Sequence, residues 1–155
     1  MAVEKDLIAH EEFAIGSDAL LWLTRAIEYI KIFLTLFAQD FKSQLNNQQL
    51  PVGVTSGGHQ INPKNVCDHF QFAYDATLKR HHNWFVQKIF AACLYAAPSR
   101  DQLIKLLSSC PEVDQVQEVE EQVIFSAIEG YLINLDKNID AIHRIFKKNG
   151  VDYKN

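Results

Sequence analysis

Leu78-Lys-Arg-His-His-Asn-Trp-Phe-Val-Gln-Lys-Ile-Phe-Ala-Ala-Cys-Leu-Tyr-Ala-Ala-Pro98 is an apolar stretch that carries imidazoles and an indole where hydrocarbon would pack at lower cost. Steps of four and three from Tyr74 put Leu78, His82, Val86, Ile89, Phe90 and Cys93 on one stripe of a helix, so His82 falls within an otherwise oily face. An imidazole buried there without a partner would cost several kcal/mol, roughly. Either another group of the protein satisfies the ring, or a ligand headgroup does so at the mouth of an oily cavity.

The chain around this stretch reads as one all-α domain. Its 155 residues, 48% hydrophobic, suffice for a single core and leave too little for a second. A net charge of -4 without a block of Lys or Arg gives no electrostatic footprint for nucleic acid. Cys67, Cys93 and Cys110 have neither metal-site spacing nor an even count, which suits reduced thiols in a cytoplasmic protein. Met1 to His10 lack the regions of a signal peptide, and Arg25, Glu28 and Lys31 interrupt the oiliest segment, Ala19 to Phe37, so no membrane span is expected.

In chain order, residues 1–16 read as a short helix or a loosely attached arm. Gly16-Ser17 is expected to end it, with Ser17 as N-cap of a long helix from Asp18 to about Leu45. That helix is apolar on two faces: Leu20, Leu23, Ile27, Ile30, Leu34 and Phe37 on one, Trp22, Ala26, Tyr29, Phe33 and Leu36 on another, so it should lie between layers. The polar, Gly-rich segment 46–62 reads as a surface loop. Asn62-Pro63 should open a second long helix, Lys64 to about Ala97, closed by Pro98. Ser99-Arg-Asp-Gln102 has the form of a capping box ahead of a short helix, Leu103 to Ser108. From Glu112 to Asn149 the helical period is too long for one straight helix in so small a domain, which predicts a corner near Asn134 to Lys137 and an end at Gly150.

Motifs for enzymatic chemistry are missing: no nucleophile elbow, Walker loop or HExxH occurs, and adjacent His81 and His82 cannot share a helix face to hold a metal. No catalytic residue, metal or cofactor is expected. Glu118, Glu120 and Glu121 read as a solvated face near a helix start. Trp22, with Asp18 one turn before it and Arg25 and Tyr29 after it, offers an indole framed by a carboxylate, a guanidinium and a phenol. The apolar face of a sugar ring would stack on that indole while the charged groups bond its hydroxyls, but core packing explains the same pattern.

Leu20-Leu-Trp-Leu-Thr-Arg-Ala-Ile27, His81-His-Asn-Trp-Phe-Val-Gln-Lys-Ile-Phe90 and Cys93-Leu-Tyr-Ala-Ala-Pro98 together resemble the glycolipid transfer protein family, in register from about Ser17 to the Val151-Asp-Tyr-Lys-Asn155 terminus. The resemblance implies a two-layer helical sandwich around a hydrocarbon chamber, with a surface pocket for a sphingolipid headgroup and amide. It gives Trp22 the part of the stacking tryptophan, His82 that of the histidine bonding the amide region, and Tyr153 that of a C-terminal tyrosine supporting the pocket. Asp18 and Arg25, beside Trp22, join the headgroup set. Leu78, Phe33 and Phe90 are similar to chamber-lining residues, and Tyr29 and Val86, on the same stripes, are placed with them. Trp84 and Tyr95 are given packing or membrane contact.

The family's early Asp, Asn and Lys, spaced by four and three, have no counterpart, since Asp6 is followed at those steps by His10 and Phe13. This implies that two N-terminal helices are missing. Thr24 and Glu28 stand where relatives often carry basic residues, which favours a sugar over a phosphate headgroup. The expectation is therefore a soluble, non-enzymatic sphingolipid carrier between membranes, in transient contact with them. A phosphosphingolipid carrier and a shortened helical interaction or sensor module are the alternatives. An uncovered Trp22-Tyr29-Phe33 face could support a homodimer.

Overall fold

The computed structural model describes residues 2–45, 65–108 and 121–151, with side chains from residue 15 onward within the first segment and up to residue 43. The elements are α1 (Ala2–Leu45), α2 (Val66–Ala76), a single 3-10 turn (Lys79–His81), α3 (Trp84–Leu94), α4 (Arg100–Ser108) and α5 (Glu121–Lys148). Among the described residues there is no strand, so the all-α reading holds.

α1 is the spine. It runs through Gly16 and Ser17 without interruption, so the stop and the N-cap expected there do not exist. A glycine inside a helix costs about 1 kcal/mol relative to alanine, too little to break a helix held by packing elsewhere along its length. Residues 2–16 are thus the first turns of α1 and not a separate arm.

Its two apolar faces take different partners, as a helix placed between layers should. Phe33, Phe37 and Phe41 enter the core with Val66 and Ala73 of α2, Ile104 of α4 and Ile124, Phe125 and Ile128 of α5. Phe41 stacks on Phe125 with ring centroids 3.8 Å apart, and Phe37 lies 5.3 Å from the same ring. Each such side chain contributes roughly 1.5–3 kcal/mol on burial, so this aromatic cluster fixes how α5 and α2 sit on the spine.

The second long helix is not continuous. α2 ends at Thr77, whose hydroxyl donates back to the Ala73 carbonyl at 2.7 Å. α3 begins afresh at Asn83, whose side chain accepts the Val86 N–H at 3.0 Å. His82, between them, has extended backbone at ψ 135°. Asn83 is an N-cap inside a stretch that periodicity reads as uninterrupted, and a side-chain cap outweighs continuation when the preceding turn has already closed. Asn65 caps α2 by accepting the Cys67 N–H at 3.0 Å, whereas the expected Asn62-Pro63 start lies outside the described residues, as does the 46–62 loop.

The capping box forms as expected. The Ser99 N–H donates to Gln102 at 2.9 Å and the Gln102 N–H to the Ser99 hydroxyl at 3.3 Å, which starts α4 at Arg100. α5 corrects the expected corner, because it runs unbroken through Asn134 to Lys137. A helix of 28 residues, about 42 Å long at 1.5 Å per residue, is accommodated since α1 is longer still and backs it throughout. Leu135 and Ile139, at the supposed corner, are buried, and Asp136 pairs with Lys31 of α1. α5 ends at Gly150, as expected, in the left-handed region at φ 67°. The Val151 N–H reaches the Phe146 carbonyl at 3.0 Å and that of Gly150 reaches Lys147 at 3.4 Å, a Schellman closure that glycine permits without strain.

Candidate functional site

The break between α2 and α3 positions the site. A continuous helix would carry His82 past Tyr74, whereas the 3-10 turn brings the imidazole back, with its Nδ1 3.0 Å from the Tyr74 hydroxyl. Gln87 pins that turn, its Nε2 donating to the carbonyls of His82 at 2.8 Å and Lys79 at 3.1 Å. Trp22 of α1 then stacks on His82, centroids 5.7 Å apart and planes 18° from parallel, and makes a T-shaped pair with His81 at 6.1 Å. The Arg25 guanidinium lies over the Trp22 ring at 5.2 Å, a cation–π arrangement.

From the 43% exposed Trp22, rings run inward without interruption. His82 leads to Tyr74 at 5.6 Å, Tyr74 to Phe90 at 3.7 Å and Phe90 to Tyr29 at 6.0 Å. Tyr29 continues to Phe70 at 6.5 Å, and Phe70 to Phe33 at 3.9 Å. The outer end is polar and half-exposed, and the inner end is core. Such a gradient can take an amphiphile headgroup first, with apolar contacts behind it.

The electrostatics are more cationic than the sequence suggests. Arg25 is lowered below the usual arginine value, first by burial and then by nearby Arg80, with Asp18 and Glu28 opposing. His81 is held below the usual imidazole value by burial, then by Arg25, Arg80 and His82. Arg80 Nε donates to His81 Nε2 at 3.0 Å, which requires that nitrogen to be unprotonated. Burial pushes Tyr29 up to about 12.

The structure therefore brings Trp22, Arg25, Asp18 and His82 into one neighbourhood, with Tyr29 and Phe90 behind them. Asp18 is exposed, and its charge reaches Arg25. Phe33 is buried in the core against Phe70 and so lines no open space. Leu78 and Val86 are half-buried, and Tyr153 lies outside the described residues. The Trp22-Tyr29-Phe33 face, expected to be bare, is covered from Tyr29 onward by Phe70 and Phe90 and leaves Trp22 exposed, while Ile15, Leu23 and Ile30 are the other exposed large apolar residues on the described part of α1. Thr24 is buried and donates to the Leu20 carbonyl at 2.7 Å, so its position adds nothing to the site's charge. Glu28 is engaged by His143 at 3.2 Å. Arg80 and His81 are the site residues that sequence reasoning passed over, though they stand next to His82 in the Leu78–Pro98 stretch. Tyr74 was seen as the start of a stripe but not as a partner for His82.

Among the described residues, Cys67 and Cys93 are free thiols and no cluster of His, Cys, Asp or Glu suits a metal ion, while Cys110 and the run Glu118 to Glu120 lie outside them. No described helix is long and apolar enough to cross a membrane.

Comparison with known proteins adds the family. The model of the family described as Glycolipid transfer protein (GLTP) matches residues 2–109, so the likeness begins well before Ser17. Glycolipid transfer protein of Xenopus tropicalis is 31% identical over 154 residues, covering 97% of this chain and 63% of that protein. The Danio rerio protein of the same name is 29% identical over 153 residues, with 98% and 63% covered. Pleckstrin homology domain-containing family A member 8 of Mus musculus is 27% identical over 140 residues, 88% of this chain but 22% of that protein. The chain thus spans 63% of the length of the amphibian and fish relatives. In structure it resembles the GLTP-fold with which FAPP2 selects simple glycosphingolipids, at a TM-score of 0.58 and 23% identity over 94% of this chain and 61% of that one. The fungal glycolipid transfer protein HET-C2 gives 0.53 and 24% over 84% and 51%. At such identities the structural likeness speaks for the fold.

Proposed function

This chain belongs to the glycolipid transfer protein family, and from that premise we propose that it is a non-enzymatic carrier that binds a sphingolipid, with a glycosylated headgroup favoured, and moves it between membranes. The observation that carries this reading is the run of rings from half-exposed Trp22 to buried Phe33, with the imidazoles and the charged side chains gathered at its outer end. Trp22 would stack a sugar, Arg25 and Asp18 would bond hydroxyls, and His82 would meet the amide; Tyr29, Leu78, Val86 and Phe90 would contact hydrocarbon. Each methylene withdrawn from water contributes about 0.8 kcal/mol, so the chains supply affinity and the headgroup contacts supply selectivity. A phosphosphingolipid is the second reading, favoured by the approach of Arg25, Arg80 and His81 to one another.

Contact with a membrane would be made by α3 and the residue that caps it, through exposed Trp84 (71%), Phe85 and Ile89 on the helix and Tyr95 (95%) at its end. Indole and phenol rings favour the headgroup level of a bilayer, which suits a carrier that touches a surface without spanning it. A cytoplasmic setting and a homodimer complete the proposal. Native mass spectrometry of the purified chain, followed by transfer of fluorescent glucosylceramide between vesicles, tests it. A co-purifying sphingolipid and transfer above background are expected; no bound lipid and no transfer would leave a helical interaction module as the better reading.

A further inference from the structure

We propose that Tyr74 is a positioning residue for His82: its hydroxyl donates to Nδ1, holds the neutral imidazole in the Nε2–H form, and so makes the site a donor toward the bound molecule. The inference rests on the carrier reading for its consequence but not for its geometry.

Tyr74 is 2% exposed, with its ring stacked on Phe90 at 3.7 Å. A buried phenol O–H needs an acceptor, and among the described residues the structure offers it His82 Nδ1 at 3.0 Å. The reverse polarity, Nδ1–H donating to the phenol, would leave the phenol's own hydrogen without an acceptor there. Burial, aided by Asp75, also raises the Tyr74 phenol above its ordinary value, which keeps it protonated. A neutral imidazole has one donor and one acceptor nitrogen, so an accepting Nδ1 assigns the hydrogen to Nε2. The ring cannot easily rotate away, since Trp22 stacks on its face and Gln87 holds its backbone carbonyl at 2.8 Å.

The chemical consequence is selection for an acceptor. A molecule presenting a carbonyl oxygen at the junction of headgroup and chains, such as an amide carbonyl, satisfies Nε2–H. One presenting only a donor, or hydrocarbon, leaves that group unpaired as water is excluded.

The test begins with the lipid-free protein. In 15N-histidine NMR at pH 8, His82 should show a protonated Nε2 and a bare Nδ1, and Tyr74→Phe should turn this into a mixture of tautomers while the Phe90 stack survives. Binding of fluorescent glucosylceramide should weaken about two- to tenfold in Tyr74→Phe, the equivalent of one neutral hydrogen bond. Replacing the amide by an ether-linked analogue should remove that difference. An Nδ1–H tautomer in the wild type, an unchanged tautomer in the variant, or equal lipid affinity of the two proteins would each overturn the proposal. If neither protein binds lipid, the carrier reading fails, and the tautomer measurement still decides the role of Tyr74.

Discussion

Phe33 of α1 and Phe70 of α2 lie face to face, ring centroids 3.9 Å apart and planes within 1° of parallel. The place that family resemblance gives to a chamber wall is therefore filled by aromatic rings. For a hydrocarbon chain to enter behind Trp22, the rings along this column must separate, and they supply the apolar surface it would replace. Truncation at Phe70, which is partly buried against the core, should then destabilise the lipid-free protein, by less than the about 3–5 kcal/mol that losing a fully buried ring costs. Lipid present at many times its dissociation constant should restore part of that by mass action. Thermal unfolding of Phe70→Ala with and without sphingolipid reads both effects. An equal loss in the two conditions would show that the lipid does not occupy this column.

Trp22 separates platform from core. At 43% exposure it has less to lose than a fully buried indole, so Trp22→Ala should reduce glycolipid transfer severely while lowering the melting temperature by only a few degrees. Its stacking on His82 makes the variant a test of that imidazole's orientation as well. A drop in melting temperature proportionate to the loss of transfer would return Trp22 to the core.

Much of this was legible beforehand, and the misses share a cause. Apolar spacing on α1 was enough to call for partners on two sides, and the Ser99–Gln102 box and the Gly150 stop follow from local chemistry. Breaks were misplaced in both directions because a boundary depends on what the neighbours supply. Gly16 is an ordinary helix-breaking signal, yet α1 continues; Asn83 sits within unbroken periodicity, yet it caps a new helix. The α5 corner was inferred from domain size, which gave way once α1 proved long enough to support it. His82 and Trp22 could be singled out because they are costly residues in oily stripes. Their contact with each other, and that of Tyr74 with His82, depends on a 3-10 turn that periodicity does not reveal.

Acid should weaken the fold through His81. Its folded value lies below that of an unfolded chain, because burial and the facing Arg25, Arg80 and His82 disfavour the imidazolium. The unfolded state therefore binds the proton more readily, and the contribution is fully present above the unfolded value near 6.5 and is lost as pH falls through and below it. Protonation would also remove the acceptor that Arg80 Nε uses. We expect the melting temperature to fall between about pH 7 and pH 5, with a shallower slope in His81→Gln. Identical slopes would place the titration elsewhere.

The packing of α5 on α1 is two-sided in chemistry. Along the seam, Lys31 pairs with Asp136, Lys42 with Glu129 and Glu28 with His143. Between α1, α4 and α5 there is also an apolar cleft of about 420 Å³ lined by Leu34, Leu107, Val123, Ala127 and Tyr131. Leu23 and Ile30 of α1 are exposed as well. Exposed apolar side chains beside an open apolar cleft favour association where a second copy of the chain covers them together. Sedimentation velocity should show a dimer forming with concentration, and Leu23→Glu with Tyr131→Glu should shift it to monomer without lowering the melting temperature, because both side chains are already about half in solvent. A wild-type chain that remains monomeric at high concentration would remove the homodimer from the proposal and leave this cleft without an occupant among copies of the chain.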